Sequence, residues 1–282
     1  MSDLATPLPK KLLDALKSGR ATLEKDALAS NSNRADLYQA DLNGVQLQKS
    51  DFSRALFTNA RLQGTDLSGS NLSGADLRGA DLRKANLSHA NLQGAYLTRS
   101  DLRGADFTNA NLDDAKFQTA LYDELTRWPE GFAYKTSGAI GPGAQLSGAY
   151  LHTVHLRGIN LEGAKLIGAY LSGADLTGAN LRNVSFSGAD LRKAVLTGAC
   201  LRNARLNSTQ LDRADFRATD LTDAQFEHVQ SLAGADFYRA HGLSLTARLT
   251  LLNRSADELD VWNGKTRRTT RTSLEADAGS TL

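Results

Sequence analysis

The residues of this chain that could do chemistry are few and scattered. Among five histidines (His89, His152, His155, His228 and His241) only His152 and His155 are close together. Two imidazoles so placed could begin a metal shell, but they fall on different sides of the repeating structure derived below, and no cysteine or carboxylate cluster completes the set. Cys200 is the single cysteine, so an intrachain disulfide is excluded. No histidine adjoins it in sequence to draw off the thiol proton, which argues against a nucleophile. Carboxylates are abundant and regularly placed, as at Asp66, Asp76, Asp81, Asp101 and Asp106. Paired acids could perform acid–base work, yet these read as solvated surface with nothing in the sequence to shift their ionisation. Neither GxxxxGK[ST] nor a GxGxxG between strand and helix is present, and the glycines of the recurring "SGA" read as corners rather than a phosphate cradle. The sequence therefore predicts a non-enzymatic protein with no cofactor, no metal and no catalytic residue.

The elements that hold these residues are pentapeptides. From Ala35 the chain divides into ADLYQ, ADLNG, VQLQK and so on to Thr119, which makes 17 units. A second run of 17 goes from Ala144 to His228. The third residue is Leu or Phe in all 34 units, and the first is Ala in 24. A period of five fits neither a helix nor a strand. It fits a solenoid in which each unit forms one short side of a coil and then turns. First and third residues then point inward; the second, fourth and fifth point out. Glycine favours the fifth position, where a Cβ is expected to crowd the corner. Four sides to a coil place every fourth unit directly above its predecessor, at about 4.8 Å per coil.

The A-[DN]-L-x-x unit, as in Ala75-Asp76-Leu77 and Ala174-Asp175-Leu176, resembles the pentapeptide-repeat family of bacterial and cyanobacterial type. That resemblance implies an all-β fold, a right-handed quadrilateral β-helix; short α-helical caps at the two ends are read from the flanking sequence. The family's functions are diverse, so the fold by itself assigns none.

Where the pattern breaks, five segments are expected: an N-terminal helical cap over 1–34, a first β-helix run over 35–122, an interrupting loop over 123–143, a second run over 144–237, and a helical cap with a flexible tail over 238–282. Leu12, Leu16, Leu23 and Ala27 share one face of the first cap. The interruption moves the core residues from numbers ending in 2 or 7 to numbers ending in 1 or 6, so a loop is expected to project there. Its Trp128, Pro129 and Phe132 either fold back over the seam or form a partner-binding knob; "WPEGF" is similar to linkers of the same family. "GADFYRA" returns one residue out of register with Phe237 inside. Beyond it, Ser255 with Glu258 and Thr272 with Glu275 form capping-box patterns.

The outer surface supplies the remaining candidates. Arg61, Arg83, Lys84 and Arg103 share one side of the first run with Asp41, Asp81 and Asp101, and Arg182 and Arg202 stack in the second. The net charge is +2, too small to argue for nucleic acid or a membrane. Aromatic platforms for bases are missing from the repeats, and "KTRRTTR" at Lys265 to Arg271 is the one basic run. No stretch approaches the length of a membrane span, and the N-terminus has no apolar signal core, so a cytoplasmic protein is expected. The leading expectation is an interaction scaffold that presents the flat faces and loop of a rod to a protein partner, with the C-terminal region the candidate for pairing two copies. The alternative is implied by the resemblance: a DNA-mimic-like protector of DNA gyrase or topoisomerase IV that confers quinolone resistance. The balanced charge departs from that pattern.

Overall fold

The computed structural model describes residues 32–276; the N-terminal cap expected over 1–34 lies almost wholly outside the described residues. Two compact units, Met1–Ile140 and Gly141–Leu282, divide the chain. In each, the pentapeptide is the building block, and all 34 central Leu and Phe side chains are buried.

The unit folds this way because the backbone donors of a regular pentapeptide find acceptors. Around Leu72, Asn71 N–H donates to Ser50 O on the preceding coil at 2.9 Å. Leu72 N–H and Gly74 N–H donate to Asn91 O and Gln93 O on the following coil, at 2.7 and 2.8 Å. Ala75 N–H closes the turn on Leu72 O at 3.0 Å. One donor is left, the fourth N–H, and the second residue's side chain takes it: Ser73 N–H to Asn71 Oδ1 at 3.2 Å, Arg78 N–H to Asp76 Oδ1 at 3.1 Å. The preference for Asp or Asn at the second position thus follows from the obligation to pair backbone groups. These aspartates are structural, a correction to their reading as idle solvated surface.

The turn corrects a second expectation. In all 34 units the fifth residue has φ between +54° and +70°, the value a type II turn requires at its third position. At Gly44 or Gly178 an added Cβ would meet nothing within 4 Å. Glycine is favoured there by backbone conformation, not by crowding.

In the first unit parallel bridges join the second residue of one pentapeptide to that of the fourth pentapeptide after it, from Asp36 with Leu56 to Asp101 with Leu121. Four pentapeptides therefore make one coil of a β-solenoid. Two irregular bridges follow, Asp106 with Arg127 and Leu121 with Ile140. The first step is one longer than the regular interval, and the second is one shorter. The interruption adds one residue near 123–126 and removes two before Ile140, which yields the register change legible in the sequence. The segment does not simply project. Trp128 takes the central position of a unit, and a 3-10 turn at Tyr134–Thr136 lies beyond it.

In the second unit the regular interval holds from Gln145 with Lys165 to Arg205 with Gln225, then lengthens by one from Gln210 with Ser231 to Asp220 with His241. Phe237 is buried, as the displaced register requires. The chain continues as α1 (Leu245–Leu252), α2 (Ala256–Leu259), a hairpin of β1 (Trp262–Asn263) and β2 (Arg268–Thr269), and α3 (Thr270–Glu275). The capping box belongs to Thr269 and Thr272, not to Thr272 and Glu275. Ser255 precedes α2 without a side-chain cap, and the Glu258 carboxylate, which a capping box would turn back to Ser255, instead accepts Leu232 N–H at 2.8 Å and pairs with Arg254. Thr270 Oγ1 donates to Leu232 O, Asn263 Nδ2 to Gly234 O, and Ser273 Oγ accepts Phe237 N–H, at 2.7–3.0 Å. Side chains here stand in for the backbone of a next coil. Among the described residues no helix is long and apolar enough to cross a membrane.

Candidate interaction surfaces

Since the fold fixes every second and fourth side chain on an outer face, the surface is a lattice whose rows are one coil apart. On one side of the first unit, Arg61 pairs with Asp41 at 3.1 Å, Arg83 with Asp81 at 2.6 Å and Arg103 with Asp101 at 2.5 Å, while Arg83 also approaches Asp101 at 3.7 Å. The structure thus brings three of the candidate arginines together and occupies each with a carboxylate. Lys84 sits exposed at a fifth position on the same side. In the second unit Arg202 holds Asp220 at 2.5 Å, and Arg182 Nε lies 3.2 Å from Cys200 Sγ.

The Asp-x-Arg pairs are forks within one unit. Arg192 and Arg217 each place Nε on Oδ1 and Nη2 on Oδ2 of Asp190 and Asp215. Such bidentate contacts depress carboxyl ionisation. The Arg78 and Arg192 hydrogen bonds hold Asp76 and Asp190 below the ordinary carboxylate value, against partial burial. Burial pushes Asp220 up, but hydrogen bonds from Thr222 and Arg202 prevail and hold it at about 2. The expectation that nothing shifts these acids is corrected.

The interruption gathers aromatic side chains. Trp128 stacks on Phe107 at 5.3 Å, on Phe132 at 5.4 Å and on Tyr134 at 5.4 Å, and meets Phe117 and Tyr122 edge-on. Trp128 and Phe132 are part-buried, and the Trp128 indole N–H is buried without a partner among the described residues. Pro129 lies beside Phe132 along a shallow groove.

One aromatic face escaped the sequence reading. Tyr150 and Tyr170 are second residues of units one coil apart, and their rings stack at 4.9 Å, 4° from parallel. They stay 76% and 41% exposed. His152 tilts against both rings, and Asp190, Arg192 and Gln210 continue the face. The signal was present: "AYLHT" begins at Ala149 and "AYLSG" at Ala169, four units later. The "KTRRTTR" run is largely committed within the unit. Arg268 lies 3.7 Å over the Tyr238 ring and Arg271 pairs with Asp260. Among the described residues no group of three or more His, Cys, Asp and Glu is placed to hold a metal ion.

Comparison with known proteins bears on the fold. No curated protein matches this chain. It is similar to a solved pentapeptide repeat protein involved in heterocyst differentiation regulation, HetL from the cyanobacterium Nostoc sp. strain PCC 7120: 29% identity over 75% of this chain and 84% of that one, TM-score 0.35. Similarity to Rfr23 from the cyanobacterium Cyanothece 51142 is 43% over 33% of this chain and 63% of that one, TM-score 0.33. To full-length QnrB1, a plasmid-mediated fluoroquinolone resistance protein, it is 18% over 80% and 97%, TM-score 0.36. The family profile described as pentapeptide repeats matches at residues 35–74, 50–88, 85–120, 144–183, 169–207 and 199–237, more than half of the chain. With four such units in each coil and their central side chains buried throughout, this chain belongs to the pentapeptide-repeat family.

Proposed function

We propose that the chain is a non-enzymatic, cytoplasmic interaction scaffold. In this reading both units are right-handed, four-sided solenoids, and the segment after Phe237 caps the second. The observation that carries it is the stacked Tyr150–Tyr170 pair, exposed on a face whose backbone is locked by inter-coil hydrogen bonds. Tyrosine presents large, amphipathic contact area at low entropic cost, which is why it concentrates in interface centres. A partner covering both rings gains apolar burial without distorting the scaffold, and His152, Asp190 and Arg192 supply polar groups at the rim. Arg61, Arg83, Lys84 and Arg103 in the first unit, and Arg182 and Arg202 on another side of the second, offer separate polar surfaces. Pro129 and Phe132 border a second recess, with Trp128 beneath them as a support.

The test compares proteins captured in the native host by the intact chain and by a Tyr150→Ala, Tyr170→Ala variant with unchanged circular dichroism. Loss of at least one partner is expected; an identical set ends this reading. Protection of a type II topoisomerase ranks below it, because arginines occupy many of the carboxylates that a DNA mimic must present. Gyrase supercoiling with a fluoroquinolone is expected to be the same with and without micromolar protein.

A further inference from the structure

Each coil is joined to the next by the same donors and acceptors, so a missing set marks an opening. Ala90 O accepts Asn111 N–H at 2.9 Å, and Leu92 N–H and Gly94 N–H reach Asn111 O and Asp113 O, both at 2.8 Å. One coil further on, Ala110 O, Leu112 N–H and Asp114 N–H have no partner among the described residues. The chain that should pair with them is the shortened stretch after Trp128. The core is correspondingly less covered: Ala110 and Leu112 are 7% and 6% exposed, against 1% and 0% for Ala90 and Leu92. A recess of about 470 Å³ lies along this edge, between Leu112, Asp113 and Asp114 on one side and Pro129, Glu130 and Phe132 on the other. Among the described residues, Asp113, Asp114 and Glu130 are exposed and hold no cation, whereas Asp76, Asp81, Asp101 and Asp106 of the same unit each hold an arginine.

We propose that this open edge binds an extended segment of a partner protein in which an apolar residue is flanked by Lys or Arg. Unpaired strand edges recruit polypeptide because backbone groups there are already in register. The first basic residue of the segment takes the place that Asn111 holds on the coil before. Its N–H donates to Ala110 O and its carbonyl accepts Leu112 N–H. The carbonyl two residues on accepts Asp114 N–H. Alternation then turns the middle residue inward, over Leu112 and toward Phe132 and Pro129, while both basic side chains stay outside among the three carboxylates. Three acids together select a cationic segment. The proposal concerns a different surface from the tyrosine face, and either stands if the other fails.

The test uses the full chain, labelled with nitrogen-15, and the peptide acetyl-Gly-Arg-Leu-Arg-Gly-amide. In the free protein the amides of Leu112 and Asp114 should exchange with solvent at least a hundredfold faster than those of Leu92 and Gly94. Adding the peptide should shift signals of residues 110–114 and slow those two amides at least tenfold. Binding should weaken at least tenfold in an Asp113→Asn, Asp114→Asn, Glu130→Gln variant and for acetyl-Gly-Glu-Leu-Glu-Gly-amide. Protection of both amides in the free chain, equal binding of the two peptides, or shifts confined to other residues would overturn the proposal.

Discussion

Trp128 stacks on Phe107 with ring centroids 5.3 Å apart and planes 9° from parallel, although the coil between them is one residue longer than the regular repeat. The extra residue is absorbed upstream. Asp123 Oδ1 accepts Gly104 N–H at 2.8 Å, the role a backbone carbonyl fills elsewhere, and Thr126 Oγ1 donates to Leu102 O at 3.0 Å. Leu125 is pushed out, 69% exposed. The insertion behaves as a bulge does in a sheet, bending the chain locally while the ladder resumes beyond it. The bulky ring then fills an axis that the irregular coil would leave empty.

Truncating that ring should loosen the first unit. Trp128→Ala is expected to cost about 2–4 kcal/mol, the usual range for a large core aromatic reduced for partial exposure. Trp128→Phe should cost only about 1 kcal/mol, since among the described residues the indole N–H has no hydrogen bond to lose. Urea unfolding followed by circular dichroism, with hydrogen exchange at Phe107, separates the two. Equal stability of both variants and the parent would mean that the stack does not hold this coil.

The same region shows where sequence reasoning stopped. Leu or Phe at the third position of every pentapeptide was enough to place both runs, because burial demands a bulky residue at a fixed interval. Thr126, Arg127 and Trp128 obey the same rule with Trp in the central place, but an inserted residue upstream hides the phase. Only the bridge of Asp106 with Arg127 restores it. The role of aspartate was invisible for another reason. It depends on which backbone N–H remains unpaired once coils stack, and that accounting needs the hydrogen bonds themselves.

Positive φ, rather than space, is what glycine supplies at the turns, and the two causes predict opposite orders. Gly178 has φ +66° and open space around its missing Cβ. Gly178→Ala should cost about 1 kcal/mol from the left-handed conformation alone. Gly178→Asn should cost less than half of that, because asparagine tolerates this region despite its size. Asn183 and Asn203 occupy equivalent turns with φ +58° and +56°. Thermal midpoints of the two variants decide the matter; a larger loss for Asn than for Ala would restore crowding as the cause.

The buried side chains that complete the last coil of the second unit should contribute measurably to its stability. Ser273→Ala removes the acceptor for Phe237 N–H, and Asn263→Ala removes the donor to Gly234 O. Both bonds are buried, so each loss should cost about 1–3 kcal/mol. An edge uncovered in this way recruits other chains, so the double variant should also self-associate in light scattering at concentrations where the parent does not. Unchanged exchange at the Phe237 amide in Ser273→Ala would show that the bond contributes nothing.

Acid should act on the lattice of aspartates. Asp220 ionises at about 2 in the folded chain against an ordinary value of 3.8: burial raises it, and hydrogen bonds from Thr222 and Arg202 more than compensate. A depressed folded value means that the unfolded chain binds the proton more readily. The stabilisation is therefore complete above about pH 4 and drains away as the pH falls toward 2. Discounted for screening of the half-exposed Arg202 partner, the contribution is about 1–2 kcal/mol. Asp76, Asp190 and Asp215 are lowered too, so the parent should lose stability steeply over the same interval. In Asp220→Asn that acid limb should be shallower by the stated amount, with the cost appearing instead at neutral pH. Urea midpoints from pH 6 to pH 2 measure both limbs. If the two proteins fall in parallel, the Arg202 and Thr222 contacts do not bias protonation and the carboxylate is held by backbone geometry alone.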